Sequence, residues 1–194
     1  MYMTVTNKKK TEIWLNPTDQ FQQDPPDLVL KQISEADGLA IWRAHLWPGR
    51  EKIRAVSSMT WDHETKQKGI DTSLYKRVQA KFFALCDCRG EVVALAAGHP
   101  IDETYYRTRG IWVSEDYRGL GLIISVLWAV LRDAADQGCS IVWTLPRKQA
   151  LNAYVRAGFK QDSEFFDEDV LYGPNCYAIC TLDSEMIAEI NGET

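Results

Sequence analysis

Apolar residues along this chain follow two spacings, and each spacing predicts a different element. Between residues 120 and 135 they recur three and four positions apart, which is the spacing of one face of a helix. The residues on this stripe are Leu120, Ile123, Ile124, Leu127, Trp128, Leu131, Ala134 and Ala135. Gly138 follows at the position where a helix commonly ends in a left-handed conformation. The pattern predicts one long amphipathic helix over 120–135.

Short apolar runs bounded by turn residues predict strands. The predicted strands cover residues 28–33, 81–86, 92–97, 104–113, 141–145, 159–166 and 176–182. The second and third runs form a hairpin with its turn at Gly90. Two further helices are predicted from their end signals: one opens at Ser34 with capping-box spacing to Asp37 and stops before Pro48, and one runs from Pro146 to 157.

The order of these elements predicts an α/β (α+β) domain with a mixed, mostly antiparallel sheet flanked by helices. We expect residues 28–182 to form this domain, residues 1–27 to be an arm outside the core, and residues 183–194 to be a C-terminal tail. Residues 47–76 are longer than a simple connection, which is typical of functional loops. This stretch holds Trp47 and Trp61, whose side chains we expect to be exposed, and also His63.

Composition and charge exclude several classes of protein. The chain has 194 residues, of which 45% are hydrophobic and 25% charged, as in an ordinary globular domain. Its net charge is -5 and no basic run is present, so a nucleic-acid partner is not expected. No apolar run approaches the ~20 residues of a membrane span, and the lysines near the N-terminus precede no hydrophobic segment. We therefore expect no membrane association and a cytoplasmic protein.

The cysteines add no metal site to this picture. The chain contains five of them: Cys86, Cys88, Cys139, Cys176 and Cys180. An odd count in a chain of this size favours free thiols in a reducing compartment. Neither close pair has the C-x2-C spacing that structural zinc usually shows, so no metal is expected.

A glycine-containing turn between the fourth predicted strand and the long helix is the strongest candidate for chemistry. It consists of Arg118, Gly119, Leu120, Gly121, Leu122 and Ile123. Glycines at such a turn allow main-chain N–H groups to approach an anion, and the helix N-terminus adds about half a positive charge. The turn therefore predicts a phosphate-binding site, although glycines also serve tight turns that bind nothing.

Two segments together resemble the GNAT (GCN5-related N-acetyltransferase) superfamily. The turn at 118–123 is similar to the family's acyl-CoA-binding motif, in which Arg or Gln precedes the glycines. Residues 150–159 are similar to a second motif, with Tyr154 on a helix and Gly158 and Phe159 at its end. The resemblance covers the element order from 28 to 182 and implies a sheet that is split beside the glycine turn.

The resemblance implies a set of ligand-binding residues and one catalytic residue. Main-chain groups of Ile111, Trp112 and Val113 would hold pantetheine, and Arg118, Gly119, Leu120, Gly121, Leu122 and Ile123 would hold the pyrophosphate. Arg147 and Asn152 would add further contacts with CoA. Tyr154 would protonate the departing thiolate, although a helix tyrosine can equally be a core residue.

The implied function is N-acyl transfer from acetyl-CoA to a primary amine of a small molecule or peptide, without a metal. Two alternatives stay open. One is a non-catalytic CoA-binding module with this fold, and the other is an interaction protein that binds no CoA. The acyl chain length and the acceptor are not fixed by the sequence, and a homodimer is a further open alternative.

The chain departs from the family pattern at three places. Ile123 occupies a position that is usually Gly or Ala, and we expect its side chain to turn into the core while its N–H faces the pyrophosphate. A register that avoids this departure would place Asp116 where Arg or Gln belongs, which is electrostatically worse. Arg147 stands where the family often has Asn, and it can still donate a hydrogen bond.

The third departure concerns the general base, since residues 105–110 contain no acidic side chain. The candidates are His99, Asp102, Glu103 and Glu115, with deprotonation by water as an alternative that needs no side chain. In the family, the position of residues 47–76 is where the acceptor site is usually built. Trp47, Trp61 and His63 could form an aromatic rim there, or they could be packed under the loop.

Overall fold

The computed structural model describes residues 27–50, 52–167 and 173–192. The arm expected over 1–27 therefore lies outside the described residues, except for Asp27. The strands are β1 (Val29–Ile33), β2 (Met59–Asp62), β3 (Gln67–Ile70), β4 (Lys81–Cys86), β5 (Val92–Pro100), β6 (Tyr105–Val113), β7 (Ile141–Thr144), β8 (Lys160–Gln161) and β9 (Ala178–Thr181). The α-helices are α1 (Glu35–Ile41), α2 (Leu74–Arg77), α3 (Leu122–Asp136), α4 (Leu151–Val155) and α5 (Ser184–Asn191).

Seven strands form one sheet in the order β1-β4-β5-β6-β7-β9-β8, and β2 pairs with β3 in a separate hairpin. Every pair of neighbours in the large sheet is antiparallel except β6 and β7, which are parallel. The predicted mixed, mostly antiparallel sheet is confirmed. The predicted hairpin of β4 and β5 is confirmed as well, with Gly90 in its turn at a φ of 84°.

The sheet opens between its two parallel strands. The pairing of β6 with β7 extends from Tyr105 opposite Ile141 only to Arg107 opposite Trp143. Strand β6 continues to Val113, whereas β7 ends at Thr144. The second half of β6 is therefore without a β7 partner, which creates the split that the sequence resemblance implied.

A bulge in β6 lies at the beginning of this split. The register with β5 shifts between Leu95 and Ala97, and Gly110 on β6 has a φ of 65°. The indole N–H of Trp42 donates to the Gly110 carbonyl at 2.7 Å. A Cβ at residue 110 would lie 2.1 Å from the Trp42 ring, so both the backbone angle and the close approach require glycine here.

Helices cover the two faces of the sheet. On one face, α3 packs through Val126, Leu127 and Val130, all fully buried. On the other face, α1 begins at Ser34, whose Oγ accepts from the Asp37 N–H at 3.1 Å, and this confirms the predicted N-terminus. The helix continues as a π-helical turn over Trp42–Leu46, and this wider turn brings Trp42 onto the bulge.

Residues 47–76 contain more structure than the predicted long connection. They include the β2–β3 hairpin and the short helix α2. The hairpin was not predicted, because the residues of β3 are mostly polar and show no alternation of apolar and polar positions. Trp61 was expected to be exposed, but this is wrong: it is 5% exposed and stacks on Tyr177 with ring centroids 3.7 Å apart. Trp47 is half-buried and lies edge-on to Trp42, with centroids 5.0 Å apart.

The expected C-terminal tail is instead a helix for most of its described length. In α5, Met186 and Ile190 are buried in the same cluster as α3. Asp183 caps the helix by accepting from the Met186 N–H at 2.9 Å. Eight residues offer too little periodicity for a sequence-based assignment, so this packing had no clear signal.

Element ends also differ from the predicted ones. Helix α3 begins at Leu122 rather than at residue 120, because Gly119 and Gly121 have positive φ angles. Its buried face is wider than the predicted stripe, since α4 and α5 also pack against it. The predicted helix over 146–157 consists of a 3-10 turn over Lys148–Ala150 followed by α4. The predicted strands over 159–166 and 176–182 shorten to β8 and β9.

The bulge generates a stability prediction. Gly110→Ala should lower the free energy of unfolding by about 3 kcal/mol or more, because it adds a steric clash with Trp42 to an unfavourable φ. Gly119→Ala is the matched control: its φ is 83° but an added Cβ meets nothing within 4 Å. The control should lose only about 1 kcal/mol in urea unfolding. Equal losses would show that the Trp42 contact does not constrain the bulge.

Candidate functional site

The turn before α3 presents a series of main-chain donors. In the part of the chain that the structure describes, no group accepts from the N–H of any residue from 119 to 123. The first helical bond runs from the Ile124 N–H to the Gly121 carbonyl at 3.0 Å. Gly121 is the N-cap residue, with a φ of 73° and no side chain that could satisfy these donors. Such a turn is suited to bind an anion.

The space outside this turn is open. A Cβ added at Gly119 or Gly121 would meet nothing within 4 Å. Ile123 is half-buried and packs against the α3 cluster, as expected, so its side chain does not fill the turn. Arg118 is exposed and pairs with Glu115 at 3.3 Å. The residues present are therefore compatible with a pyrophosphate at the turn.

The unpaired end of β6 lies next to this turn. Side chains alternate along it: Ile111 and Val113 pack against the α3 cluster, and Trp112 packs against the cluster on the opposite face. Trp112 also stacks on His45, with centroids 4.5 Å apart. All three strand residues are half-buried. Because β7 has already ended, the main-chain edge of this segment faces the split rather than another strand.

Tyr154 lies on α4, on the α3 side of the split. It is 7% exposed and packs edge-on to Phe159, with centroids 5.6 Å apart. Burial raises the pKa of Tyr154 to about 12, while a hydrogen bond with the Thr144 side chain and the charge of Arg147 oppose this shift. The phenol is therefore protonated at neutral pH. Thr144 is the last residue of β7, which places Tyr154 beside the end of the shorter strand.

Half of the predicted site residues share one hydrophobic cluster. Tyr154, Ile111, Val113, Leu120, Leu122 and Ile123 belong to the hydrophobic cluster around α3 or pack against it. Arg147 is half-buried and forms an isolated bridge with Asn175. Asn152 and Arg118 are exposed on α4 and at the turn. Trp112 differs, since its side chain lies on the opposite face of the sheet.

The histidine among the base candidates is enclosed. His99 is fully buried, and its Nε2 accepts from the Ser57 N–H at 3.1 Å. Its Nδ1 lies 3.0 Å from the Pro100 carbonyl, so both ring nitrogens are engaged. Burial, reinforced by the charges of Arg107 and Arg109, lowers the pKa of His99 to about 4. A neutral, enclosed ring cannot face an incoming amine.

The acidic candidates for the general base are either engaged in hydrogen bonds or ion pairs, or lie far from the split. Asp102 accepts from the N–H groups of Thr104 and Tyr105, each at 2.8 Å, in the turn that starts β6. Glu103 is exposed in the same turn, at the opposite end of β6 from the split. Glu115 pairs with Arg118.

The three aromatic residues expected at an acceptor site do not form one rim. Trp47 packs on Trp42, Trp61 stacks on Tyr177, and His63 lies 6.1 Å from the Tyr105 ring. A shallow hollow does lie between the β2–β3 hairpin and the turn before β6, lined by Trp61 and Tyr105 among others. It is at the far end of β6 from the α3 N-terminus.

Two arginines on β6 escaped the sequence-based search. Arg107 and Arg109 occupy alternate positions on β6, and their charges lie on the face of the sheet that is covered by α1 and the hairpin.

Within the described ranges, no group of three or more His, Cys, Asp or Glu side chains could hold a metal ion. Across the same residues, no helix combines the length and the apolar character that a membrane crossing needs.

Comparisons with known proteins agree with this geometry. Residues 40–159 match the acetyltransferase (GNAT) family, so the chain belongs to that family. A search of curated proteins finds no significant match.

Solved structures show the same fold at low identity. A spermidine N-acetyltransferase chimera from Vibrio cholerae and hSSAT is 12% identical with a TM-score of 0.56, covering 82% of this chain and 98% of that one. Escherichia coli ElaA is 15% identical with a TM-score of 0.55, covering 79% and 99%. A GNAT-family acetyltransferase from Staphylococcus aureus is 12% identical with a TM-score of 0.52, covering 80% and 99%.

The enclosure of His99 predicts a pH-dependent stability. The unfolded chain takes up a proton at the ordinary pKa of 6.5, whereas folded His99 resists protonation until about pH 4. The free energy of unfolding should therefore fall by about 3 kcal/mol from this residue as pH drops through that window. His99→Gln should remove this part of the slope in urea unfolding followed from pH 7 to pH 4. An unchanged slope would show that His99 is protonated without cost in the folded state.

Proposed function

We propose that this protein transfers an acetyl group from acetyl-CoA to a primary amine of a small molecule or peptide. The observation that carries the proposal is the split between β6 and β7, which opens beside the unsatisfied N–H groups of residues 119–123. The N–H groups of the turn can donate to an anion. The free edge of β6 can donate and accept main-chain hydrogen bonds, as it would with a neighbouring strand. An acyl-CoA carries a pyrophosphate and a chain of amide groups, so it can use both surfaces side by side.

Each part of CoA has a matching part of the chain. The pyrophosphate would bind the N–H groups of residues 119–123, where the dipole of α3 favours negative charge. Pantetheine would lie along Ile111, Trp112 and Val113 and exchange main-chain hydrogen bonds with them. Arg147 would donate to a pantetheine carbonyl, and Asn152 would contact CoA from α4.

When bound, acetyl-CoA supplies a thioester whose C–S bond breaks as the amine nitrogen forms a C–N bond with the acetyl carbon. The departing sulfur then needs a proton. Tyr154 is suited to give it, because burial keeps its phenol protonated and α4 holds it beside the end of β7.

The amine must also lose a proton. Three of the four side chains considered as bases are enclosed or distant, since His99 is buried and Asp102 and Glu103 lie at the other end of β6. The fourth, Glu115, lies beside the proposed pyrophosphate turn, where it pairs with Arg118. We therefore propose that the amine gives its proton to water. The rate should then follow the fraction of neutral amine in solution rather than the pKa of a protein group.

The glycine turn generates the first functional prediction. Gly121→Asp places a negative charge where the pyrophosphate should bind, so CoA affinity measured by calorimetry should fall more than tenfold, or about 1.4 kcal/mol. Gly138→Asp is the matched control: it stands at the other end of α3, also with a positive φ and open space around it. CoA affinity should be unchanged in the control. Equal affinity in both folded variants would rule out the turn as the pyrophosphate site.

Tyr154 generates the second functional prediction. Tyr154→Phe should keep the dissociation constant for CoA and lower kcat by about 100-fold, the contribution typical of a positioned acid. Tyr106→Phe is the control, because it also removes a buried phenol, one that donates to Asp133 at 2.7 Å. That variant should lose stability but not kcat. A kcat within a few-fold of wild type for Tyr154→Phe would make Tyr154 a packing residue. Wild-type protein that binds CoA but acetylates no amine would instead favour the non-catalytic CoA-binding module.

A further inference from the structure

Two arginines on β6 carry charges that the proposed reaction has not used. Arg107 is 5% exposed, and its guanidinium lies 4.4 Å from the centre of the Trp143 ring. Its Nη1 donates to the Ser57 hydroxyl and to the Met59 carbonyl. Arg107 stands at the last paired position of β6 with β7, which is the inner end of the split.

Arg109 follows on the same face of the strand, immediately before the bulge. Its guanidinium carbon lies 5.2 Å from the Trp42 ring centre and 5.3 Å from that of Trp47. Its Nη1 donates to the Arg54 carbonyl at 3.2 Å. The side chain is partly buried, and the two tryptophans hold its charge in place.

These charges have no acidic counterpart in the described part of the chain. Among the described residues, no carboxylate forms an ion pair with Arg107 or Arg109, and their partners are neutral acceptors and aromatic rings. Burial lowers the pKa of Arg107, and the like charge of Arg109 lowers it further. Two adjacent, partly desolvated cations without a counter-ion are costly, and a bound anion would offset that cost.

The same region contains more donors than acceptors. Three buried polar atoms have no hydrogen-bond partner within the described part of the chain here: Arg107 Nε, Trp143 Nε1 and the Tyr177 hydroxyl. The first two can only donate. A surplus of donors beside two positive charges is the chemistry that receives an anion with several acceptor lone pairs.

We infer that Arg107 and Arg109 form a subsite for a carboxylate of the acceptor, so that the acceptor class is amino acids rather than simple amines. This inference rests on the proposed function, because it places the subsite beside the reacting thioester. Arg109 precedes by two residues Ile111, the first residue proposed to contact pantetheine. An α-amino acid carries its amine and carboxylate on the same carbon, so binding of the carboxylate here would bring the amine to the split.

The geometry favours a carboxylate over other groups. The guanidinium fork pairs with a planar carboxylate through two parallel hydrogen bonds. A polyamine would instead bring positive charge to two positive side chains. A primary amide of the same amino acid has nearly the same shape but no negative charge. Because the amide's α-amine has a lower pKa, kcat/KM for both acceptors is expressed per concentration of neutral amine, and the ratio then isolates the contribution of the charge.

The test compares amino acids with their primary amides as acceptors. For a panel of small, apolar, acidic and basic amino acids, wild-type kcat/KM with the best member should exceed that with its amide by about 10- to 100-fold, as expected for charged hydrogen bonds. Arg109→Gln should reduce this preference to threefold or less. Arg89→Gln removes an exposed arginine in the β4–β5 turn and should keep the full preference. Arg109 is preferred to Arg107 for substitution because it is less buried.

A second readout does not require turnover. Calorimetric titration of the CoA complex with the same pairs should show tighter binding of the amino acid, and Arg109→Gln should abolish the difference. If amines are acetylated without any carboxylate preference, the subsite is overturned while the proposed function stands. If no amine reacts but carboxylate binding depends on Arg109, the subsite stands and the proposed function fails. Absence of both preference and binding would make the arginines structural.

Discussion

The hydrogen bond from the Trp42 indole to the Gly110 carbonyl is the contact on which the split sheet depends. It fixes the bulge of β6 at the point where that strand leaves β7. Strand β7 ends one residue beyond its last paired position, so the opening depends both on this early end and on the bulge that bends β6 there. Gly110 is the residue that allows the left-handed angle and the contact with the ring. The other partner in this contact, Trp42, is the first residue of the π-helical turn that follows α1.

The opening becomes a potential binding site only because α3 is anchored independently of it. Asp133 near the end of this helix accepts from the Tyr106 hydroxyl and pairs with Lys81, which ties the helix to β6 and β4. Its middle is held by fully buried Leu127 and Val130. With the rest of the helix fixed, its first turn can leave several N–H groups unsatisfied. Packing in the core thus keeps α3 in place although the N–H groups of its first turn have no hydrogen-bond partner within the described residues.

Hydrophobic patterning predicted most of this fold, because α3 buries one face and β4, β5 and β7 are largely buried apolar runs. The β2–β3 hairpin could not be found this way, since its residues are mostly polar and its burial depends on a single residue, Trp61. The glycine turn and Tyr154 were found through a motif. Arg107 and Arg109 were not, because an arginine in a strand is usually solvated, and only the completed sheet shows which face receives their charges.

The two proposed anion sites use different physics, and their positions explain why. The turn before α3 is open to solvent, where formal charges are screened, and it relies on oriented N–H dipoles that are fixed by the backbone. Arg107 lies in the interior, where a formal charge acts strongly but is costly when unpaired. A surface turn can therefore hold a common phosphate group of a cosubstrate without discrimination. A buried guanidinium gains most from one ligand that brings the missing charge, so in the proposed reaction the interior site would select the acceptor.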